Sequence, residues 1–460
     1  MQERKIFKLT LLFAVAIFLM TAGFSCKMQS AAEKAAMQPV ALSYWGVFNN
    51  TADFTELFAD YKALHPNITI NYSKFRPEEY NQKLLEAFAE DRGPDLFSIH
   101  NTWIGEYKNN LEPMPASVQI PFQEITGSIK KETITTIKTI PSISLMQLKN
   151  DFVEAVYDDC LRDGKIYCLP LNIDNLALYY NRDLLNANAI PFPPKTWAEF
   201  QEDVQKITKY DKDGYILQSA ASLGTSANIS RFSDILSLLM IQNGAVMSDG
   251  GKVVFNMPIG ESKYVPAVRA LQFYKAFSDS SKEVYTWNNE MPNSLDAFIQ
   301  GRTAFFFGYS YHKPIIKASA PKLNFAISEV PQISEASLGS AGINVANYWV
   351  EVVPEKSKQK DIAWNFIQFA AADAKENGKY LARVKRPTAL RVLVNSQLDD
   401  MDIATFAKQV LTSKSWYKGK NSGATEEIFS AMINFIGNSS DEKIYQQALN
   451  DAAKKVQQTY

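Results

Sequence analysis

Aromatic and polar side chains occur together just beyond three predicted strand ends. The clusters are WGVFNNT, which begins at Trp45, HNTW, which ends at Trp103, and GYSYH, which contains Tyr309 and Tyr311. Aromatic rings stack on apolar faces, whereas amide and hydroxyl side chains form directional hydrogen bonds. These clusters predict a noncovalent ligand-binding site beyond the strand ends. Core packing is the alternative for each aromatic residue, because most tryptophans are largely buried.

Motifs for covalent or metal chemistry are missing from the sequence. It contains no Gly-rich phosphate loop, no GxSxG elbow and no HExxH pair, and its three histidines are far apart. We therefore expect no metal site and no cofactor. The carboxylate pairs Glu78-Glu79 and Asp158-Asp159 fall in a predicted helix and a predicted hairpin arm, where solvent exposure explains them. Convergent carboxylates elsewhere would suit a glycoside hydrolase, and that alternative stays open.

The elements that carry the first two clusters form a parallel α/β unit. Strands are predicted over Ala41 to Trp45, Ile68 to Tyr72 and Asp95 to Ile99, and each intervening segment has apolar residues at helical spacing. Pro77 suits the first position of the second helix. Ligands of such units bind beyond the carboxyl ends of the strands, which is where both clusters lie.

The segment from Lys165 to Asn181 is predicted to pass from one compact unit to another. It consists of two strand-like stretches joined by a polar interruption that contains Pro170, Asp174 and Asn175 but no glycine. A bulged strand is the alternative. A length of 460 residues also favours two domains.

The second unit is predicted from residue 173 onward. Thr196 to Glu199 forms a capping box that opens a helix. Polar residues at 224–228 precede another helix, where they could hydrogen-bond a ligand near its N-terminus. Apolar stripes after residue 401, including Phe429, indicate ordinary core faces.

These segments resemble, in the same order, the family 1 extracellular solute-binding proteins, the maltodextrin-binding-protein-like carbohydrate receptors of bacterial ABC importers. The similar blocks are YWGVF, GPDLFSIHNTW, GKIYCLPLNIDNLALYYN, AFIQGRTAFFFGYSYH and the segment Arg386-Pro387-Thr388. The resemblance implies a two-lobed α/β fold of the periplasmic-binding-protein type, with a mostly parallel sheet in each lobe and several hinge crossings. We expect lobe 1 at 39–172 and 333–386, and lobe 2 at 173–332 and 387–460.

The resemblance also implies a function. Two lobes would close over a carbohydrate and present it to ABC permease subunits, and the protein would be a monomer without enzymatic activity. The expected ligand-binding residues are Trp45, Asn101, Trp103, Asp174, Asn175, Trp287, Tyr309, Tyr311, Tyr348, Trp349 and Arg386. The alternatives are a receptor of the same fold for a peptide, polyamine or other solute, and a secreted carbohydrate-active enzyme.

The N-terminus predicts export. Basic residues precede an apolar run from Leu11 to Met20, and Cys26 then occupies the position of a lipidated cysteine in a loose lipobox. Residues 1–26 are therefore expected to be a signal peptide with lipobox, residues 27–38 a tether, and the protein lipid-anchored at the outer face of the cytoplasmic membrane. Retention of the apolar run as an uncleaved anchor is the alternative. A formal net charge of −1 provides no basic field for nucleic acid or an anionic lipid surface.

Cys160 and Cys168 flank a predicted hairpin turn around Gly164. A three-residue loop would place the two cysteines opposite each other, which suits a disulfide in an exported protein. A two-residue loop would instead place Cys160 opposite Tyr167, and two free buried thiols are the alternative.

Overall fold

The fold is known from a computed structural model, which describes residues 38–126, 132–261, 263–339 and 342–460. The expected signal peptide, Cys26 and nearly all of the tether lie outside these residues. Within the described residues, no helix is both long and apolar enough to cross a membrane.

The predicted helices and strands occur in the expected order, and the structure adds elements that the sequence analysis did not predict, among them the ten-residue strands β4 and β5. Up to residue 166 they are β1 (Val40–Gly46), α1 (Thr55–Leu64), β2 (Ile68–Lys74), α2 (Pro77–Ala89), β3 (Leu96–His100), α3 (Ile104–Tyr107), β4 (Ser117–Thr126), β5 (Glu132–Pro141), α4 (Leu145–Asp151), α5 (Glu154–Cys160), β6 (Leu161–Arg162) and β7 (Lys165–Ile166). The middle of the chain contains β8 (Ala177–Asn181), α6 (Arg182–Ala187), α7 (Trp197–Ile207), β9 (Lys209–Tyr210), β10 (Ile216–Ala221), α8 (Phe232–Gln242), β11 (Ser248–Asp249), β12 (Lys252–Val253), α9 (Pro266–Ala276), α10 (Ser294–Ile299), β13 (Thr303–Gly308), α11 (His312–Ser319) and β14 (Phe325–Ser328). The remainder contains β15 (Asn344–Val345), β16 (Trp349–Val352), α12 (Lys360–Ala371), α13 (Ala374–Val384), α14 (Arg391–Gln397), α15 (Ala404–Gln409), β17 (Ser413–Lys414), α16 (Ser422–Ile436) and α17 (Glu442–Gln457).

Two large hydrophobic cores define two lobes. The first lobe is built around a four-stranded sheet in the order β16-β3-β1-β2, in which β1 runs parallel to both β2 and β3. Its core joins residues from Leu42 to Ile173 with residues from Ala346 to Val410. Apolar side chains alternate along β1 and recur at helical spacing in α1 and α2, so one face of each element meets this core.

The second lobe is built around a five-stranded sheet in the order β14-β8-β13-β10-β9. Its main core extends from Leu176 to Val345 and takes in the C-terminal helices α16 and α17. Only the β13–β10 pairing is parallel, whereas β8 runs antiparallel to both of its neighbours. The expectation of a mostly parallel sheet therefore fits the first lobe but not the second. The reason is that β8 enters directly from the other lobe, in the direction opposite to β13.

Three chain segments lie side by side where the lobes meet. The backbones of Leu169 and Glu351 exchange hydrogen bonds of 3.2 and 2.9 Å. The backbone N–H of Asn347 donates to the backbone carbonyl of Asp174 at 2.9 Å. The Ile173 amide donates to the Pro387 carbonyl at 3.1 Å. The segment from Lys165 to Asn181 thus does pass between the lobes. The lobe boundaries predicted from the sequence stay a prediction, although Leu390 and Val394 pack in the first core, beyond the expected crossing at Arg386.

Candidate functional site

A cavity of about 400 Å³ lies between the lobes. Its lining combines Phe48, His100 and Trp103 from the first lobe with Asp234 and Phe429 from the second, together with residues of the crossing segments. Its volume falls within the range of small-molecule sites, which commonly lie at domain interfaces. This inter-lobe cavity is the candidate site.

Asp234, in the first turn of α8, is the centre of a hydrogen-bond network in the cavity wall. Its carboxylate accepts from Arg231 at 2.8 and 3.0 Å, from the Tyr309 hydroxyl at 2.6 Å and from the Asn347 amide at 3.1 Å. Burial by itself raises the pKa of Asp234, but the Arg231 guanidinium and the Tyr309 hydroxyl together outweigh burial and hold that pKa below its usual value. Arg231 also forms an ion pair of 3.2 Å with Glu426 on α16. The site therefore has an ionised carboxylate whose orientation is fixed.

His100, at the end of β3, extends this network to the first lobe. Its Nε2 lies 2.9 Å from Oδ1 of Asn347, and its Nδ1 lies 2.8 Å from the Thr102 hydroxyl. Because the Asn347 amide nitrogen donates to Asp234, the amide oxygen must accept from His100 Nε2–H. Burial lowers the pKa of His100 to about 4, so the ring is neutral near neutral pH. The network thus connects His100 of the first lobe, through Asn347 between β15 and β16, to Asp234 of the second lobe.

Asp174, Ser310 and Arg386 form a second polar group. The Asp174 carboxylate accepts from the Ser310 hydroxyl at 2.6 Å and from Arg386 Nη1 at 3.5 Å. Burial raises the pKa of Asp174, and Arg386 and Ser310 offset burial only in part. The Arg386 guanidinium carbon also lies 5.9 Å from the centre of the Tyr311 ring, within the range of a cation–π contact. This group presents the Tyr311 ring to the cavity from the second lobe.

Aromatic rings line the cavity in two groups. In the first group, Phe48 is stacked 6.1 Å from Tyr311 across the cleft and lies 5.4 Å from Trp349, which is also 5.4 Å from Trp103. The second group is Trp416, stacked at 5.9 Å on Phe429, and its indole N–H donates to Ser237 at 3.1 Å. Ser237 is about one helical turn from Asp234 on α8. The polar network therefore contacts the first aromatic group through His100, which lies 6.0 Å from Trp349, and shares helix α8 with Ser237, the partner of the second group.

The structure brings six of the eleven expected ligand-binding residues to the cavity. These are Trp103, Asp174, Tyr311, Tyr348, Trp349 and Arg386. Tyr309 is not among the lining residues. It is fully buried, and its hydroxyl donates to the Asp234 carboxylate. Contact of any of these residues with a ligand stays a prediction.

Four other expected residues do not line the cavity. Strand β1 continues to Gly46, so Trp45 lies inside the strand, against Phe75 at 4.6 Å. Trp287 is 0 % exposed in the second core, where its indole N–H donates to Asn228. Two buried amides are engaged elsewhere: Asn101 with Asp159 and Ser415, Asn175 with the Phe406 carbonyl.

Sequence reasoning missed several lining residues. Phe48 and His100 line the cavity and belong to the first two of the three clusters at strand ends, next to the residues expected to bind a ligand. Arg231 and Asp234 open the helix that follows the polar stretch at 224–228, so a signal existed there. Nothing in the local sequence pointed to Trp416 or Glu426 as ligand-binding residues. Both lie after the last segment that resembles the receptor family, in a region whose apolar stripes indicated ordinary core helices.

The structure joins Cys160 and Cys168 in a disulfide with a Cα–Cα distance of 5.1 Å. The hairpin has a two-residue loop, with Leu161 opposite Ile166, which is the second of the two loops that the sequence left open. Cys160 still reaches Cys168 because it ends helix α5 and does not belong to a strand.

Asp159, one residue earlier, is 0 % exposed, which corrects its assignment to a solvated face. It accepts from Asn101 and from Tyr348, both at 2.8 Å, and forms an ion pair with Lys418. Burial by itself raises the pKa of Asp159, but Lys418 and these two donors outweigh burial and hold the pKa below its usual value. Asp159 is therefore a buried, ionised group near the cavity wall.

Comparison with known proteins assigns this architecture to a family. The family model described as bacterial extracellular solute-binding protein matches residues 56–393, most of the chain. The protein belongs to this family. Within the described residues, this solute-binding protein has no group of three or more histidine, cysteine, aspartate or glutamate side chains that could hold a metal ion.

Three similar proteins illustrate the relationship. An arabinooligosaccharide-binding protein of Bacillus subtilis is 22% identical over 394 residues, which are 81% of this chain and 78% of that protein. A maltodextrin-binding protein of the same organism is 25% identical over 308 residues, 64% of this chain and 67% of that protein. The solved structure of a cyclic alpha-maltosyl-1,6-maltose binding protein from Arthrobacter globiformis has a TM-score of 0.69 at 18% identity, covering 92% of this chain and 99% of that chain. The two-lobed fold is thereby confirmed.

Proposed function

We propose that this protein captures a carbohydrate between its lobes and delivers it, chemically unchanged, to an ABC importer. The observation that carries the proposal is the cavity whose lining combines the Asp234 network with two aromatic groups. Sugars have apolar C–H faces that stack on rings and hydroxyl groups that bind carboxylate, amide and guanidinium side chains. Similar proteins bind maltodextrin and arabinooligosaccharide, which agrees with this chemistry.

The charges in the cavity favour a sugar over a polyamine. Asp234 and Glu426 are both engaged by Arg231, and Asp174 is engaged by Arg386. These carboxylates are therefore not free to bind ammonium groups. Glu351, the remaining carboxyl group of the cavity lining, has no ion pair among the described residues, and burial raises its pKa to about 7. A glycoside hydrolase needs a second carboxyl group that faces the scissile bond, and the other three are engaged by arginines, which argues against an enzyme.

A thermal-shift screen tests the proposal. The panel contains mono-, di- and trisaccharides of glucose, arabinose and N-acetylglucosamine, with spermidine and a tripeptide as non-sugar arms. A sugar present at about 100 times its dissociation constant should add about 2.7 kcal/mol to the free energy of unfolding, which raises the melting temperature measurably. Binding of spermidine or the peptide without any sugar would refute the proposal, as would recovery of a cleaved sugar by mass spectrometry.

We also propose that Cys26 carries a lipid that tethers the protein, as a monomer, to the outer face of the cytoplasmic membrane, where it meets the permease subunits. The support is the order of basic residues, apolar run and cysteine in the first 26 residues. Intact-mass measurement on protein extracted from its native membrane should show cleavage before Cys26 and an acylated N-terminus. A soluble chain with an unmodified Cys26 would contradict the anchor.

A further inference from the structure

Residues 413–420, here called the strap, lie between the two lobes. On the second-lobe side, Trp416 stacks on Phe429 at 5.9 Å, and the Tyr417 hydroxyl lies 2.9 Å from the hydroxyl of Thr459. The strap continues directly into α16, whose Phe429 and Ile433 belong to the second core. The C-terminal part of the strap is therefore attached to the second lobe, whereas Val410, three residues before the strap, packs in the first core.

The opposite side of the strap contacts the first lobe. Lys418 forms an ion pair with Asp159 and donates to the Asp158 carbonyl at 3.2 Å, and Asn101 donates to the Ser415 hydroxyl at 3.0 Å. Lys414 forms an ion pair of 2.6 Å with Glu154. All of the first-lobe partners lie on α5 or in the turn after β3. Separation of the lobes would break this whole set of contacts.

Backbone packing at the same place is very close. A Cβ atom at Gly105, on α3, would overlap the carbonyl oxygen of Gly419. Only glycine at position 105 lets the strap approach the first lobe this closely. The end of helix α5, which carries Asp159, is held by the disulfide from Cys160 to the crossing segment. The partner surface for Lys418 is thus rigidly placed.

Asp159 is fully buried. Lys418 contacts its Oδ1 atom, and two neutral groups donate to its Oδ2 atom. Asn101 and the Tyr348 hydroxyl both donate to it at 2.8 Å. A buried carboxylate is costly without a charged partner, so release of Lys418 from this site is unfavourable. Tyr348, Ser415, Trp416 and Tyr417 also line the cavity, so the contact lies at the cavity wall.

From this geometry we propose that Asp159 and Lys418 are positioning residues for ligand capture: their ion pair holds the strap, and with it Trp416, against the first lobe and favours the closed cleft. The inference concerns the same cavity and rests on the proposed capture function. On this proposal, the ion pair supplies part of the free energy that favours the closed state, and the ligand supplies the rest.

The test measures the distance between the lobes without any sugar. Spin labels are attached to Met146→Cys in the first lobe and Met257→Cys in the second, both at exposed positions, in a Cys26→Ser background. Pulsed electron spin resonance then gives the distance distribution. Removal of both charges in Asp159→Asn/Lys418→Met, which leaves no unpaired buried charge, should lengthen the mean distance by more than about 2 Å, the scale of a genuine domain rearrangement.

Gly105→Ala provides an independent variant, because it leaves both charges in place and displaces the strap through its backbone. It should lengthen the distance in the same direction. The matched control is Lys420→Met, which removes an exposed lysine two residues away. Unchanged distances in both test variants, or an equal increase in the Lys420 control, would overturn the proposal. Because no sugar is present, this result is independent of whether the carbohydrate function is correct.

Discussion

Replacement of Trp287 by alanine is expected to lower the free energy of unfolding by about 3 to 5 kcal/mol and to leave sugar affinity nearly unchanged. The indole is 0 % exposed in the core of the second lobe and is not among the residues that line the cavity. Its removal leaves a cavity in the core and removes one of the two hydrogen bonds that Asn228 Oδ1 accepts, the other coming from the Thr225 hydroxyl. Urea denaturation and calorimetric sugar titration at a temperature where the variant stays folded measure the two quantities.

Trp416→Ala is the matched comparison. Trp416 lines the cavity and is only partly buried, so its removal should weaken sugar binding about tenfold, or about 1.4 kcal/mol, with a smaller loss of stability than at Trp287. A strong loss of affinity in folded Trp287→Ala, with no change in Trp416→Ala, would reverse the assignment of these two residues.

Glu351→Gln is expected to raise the free energy of unfolding above pH 7 by about 3 kcal/mol, because it removes the cost of ionising a buried carboxyl group. Each pKa unit by which burial raises the pKa of this group corresponds to about 1.4 kcal/mol. Glu351 lies on β16 in the cavity floor, is 4 % exposed and accepts from the Ser98 hydroxyl at 2.7 Å. No ion pair to Glu351 occurs among the residues that the structure describes. Burial therefore raises the pKa of Glu351 to about 7.

The sign of the pH dependence follows from proton binding. Between about pH 4.3 and 7 the folded carboxyl keeps its proton while the unfolded carboxyl has lost it. The parent therefore loses stability as pH rises through this window, and above it the penalty is constant. Glutamine does not ionise, so the variant should match the parent near pH 4 and exceed it above pH 7. A stability difference that does not change between pH 4.5 and 7.5, measured by urea denaturation, would contradict this account.

Much of the architecture was predictable because it is encoded in consecutive residues. The capping box at Thr196 and Glu199 is present at the start of α7, and Pro77 begins α2. Helical and strand periodicity are local properties of the chain, and the order of the motifs carried the likeness to the solute-binding family. The same local signal placed Trp103 and Tyr311 beyond strand ends, where the cavity lies.

The sequence by itself determined the order of the elements, the passage between the lobes at Lys165 to Asn181 and the kind of side chains available for binding. Tertiary structure alone decided which of these side chains reach the cavity. Asp159 and Lys418 meet across 259 positions, and His100 meets Asn347 across 247 positions. Burial and ion pairing depend on such distant contacts, which no local spacing encodes. For that reason Trp287 and Trp416, which are chemically identical, differ in role: one packs in a core and the other faces the cleft.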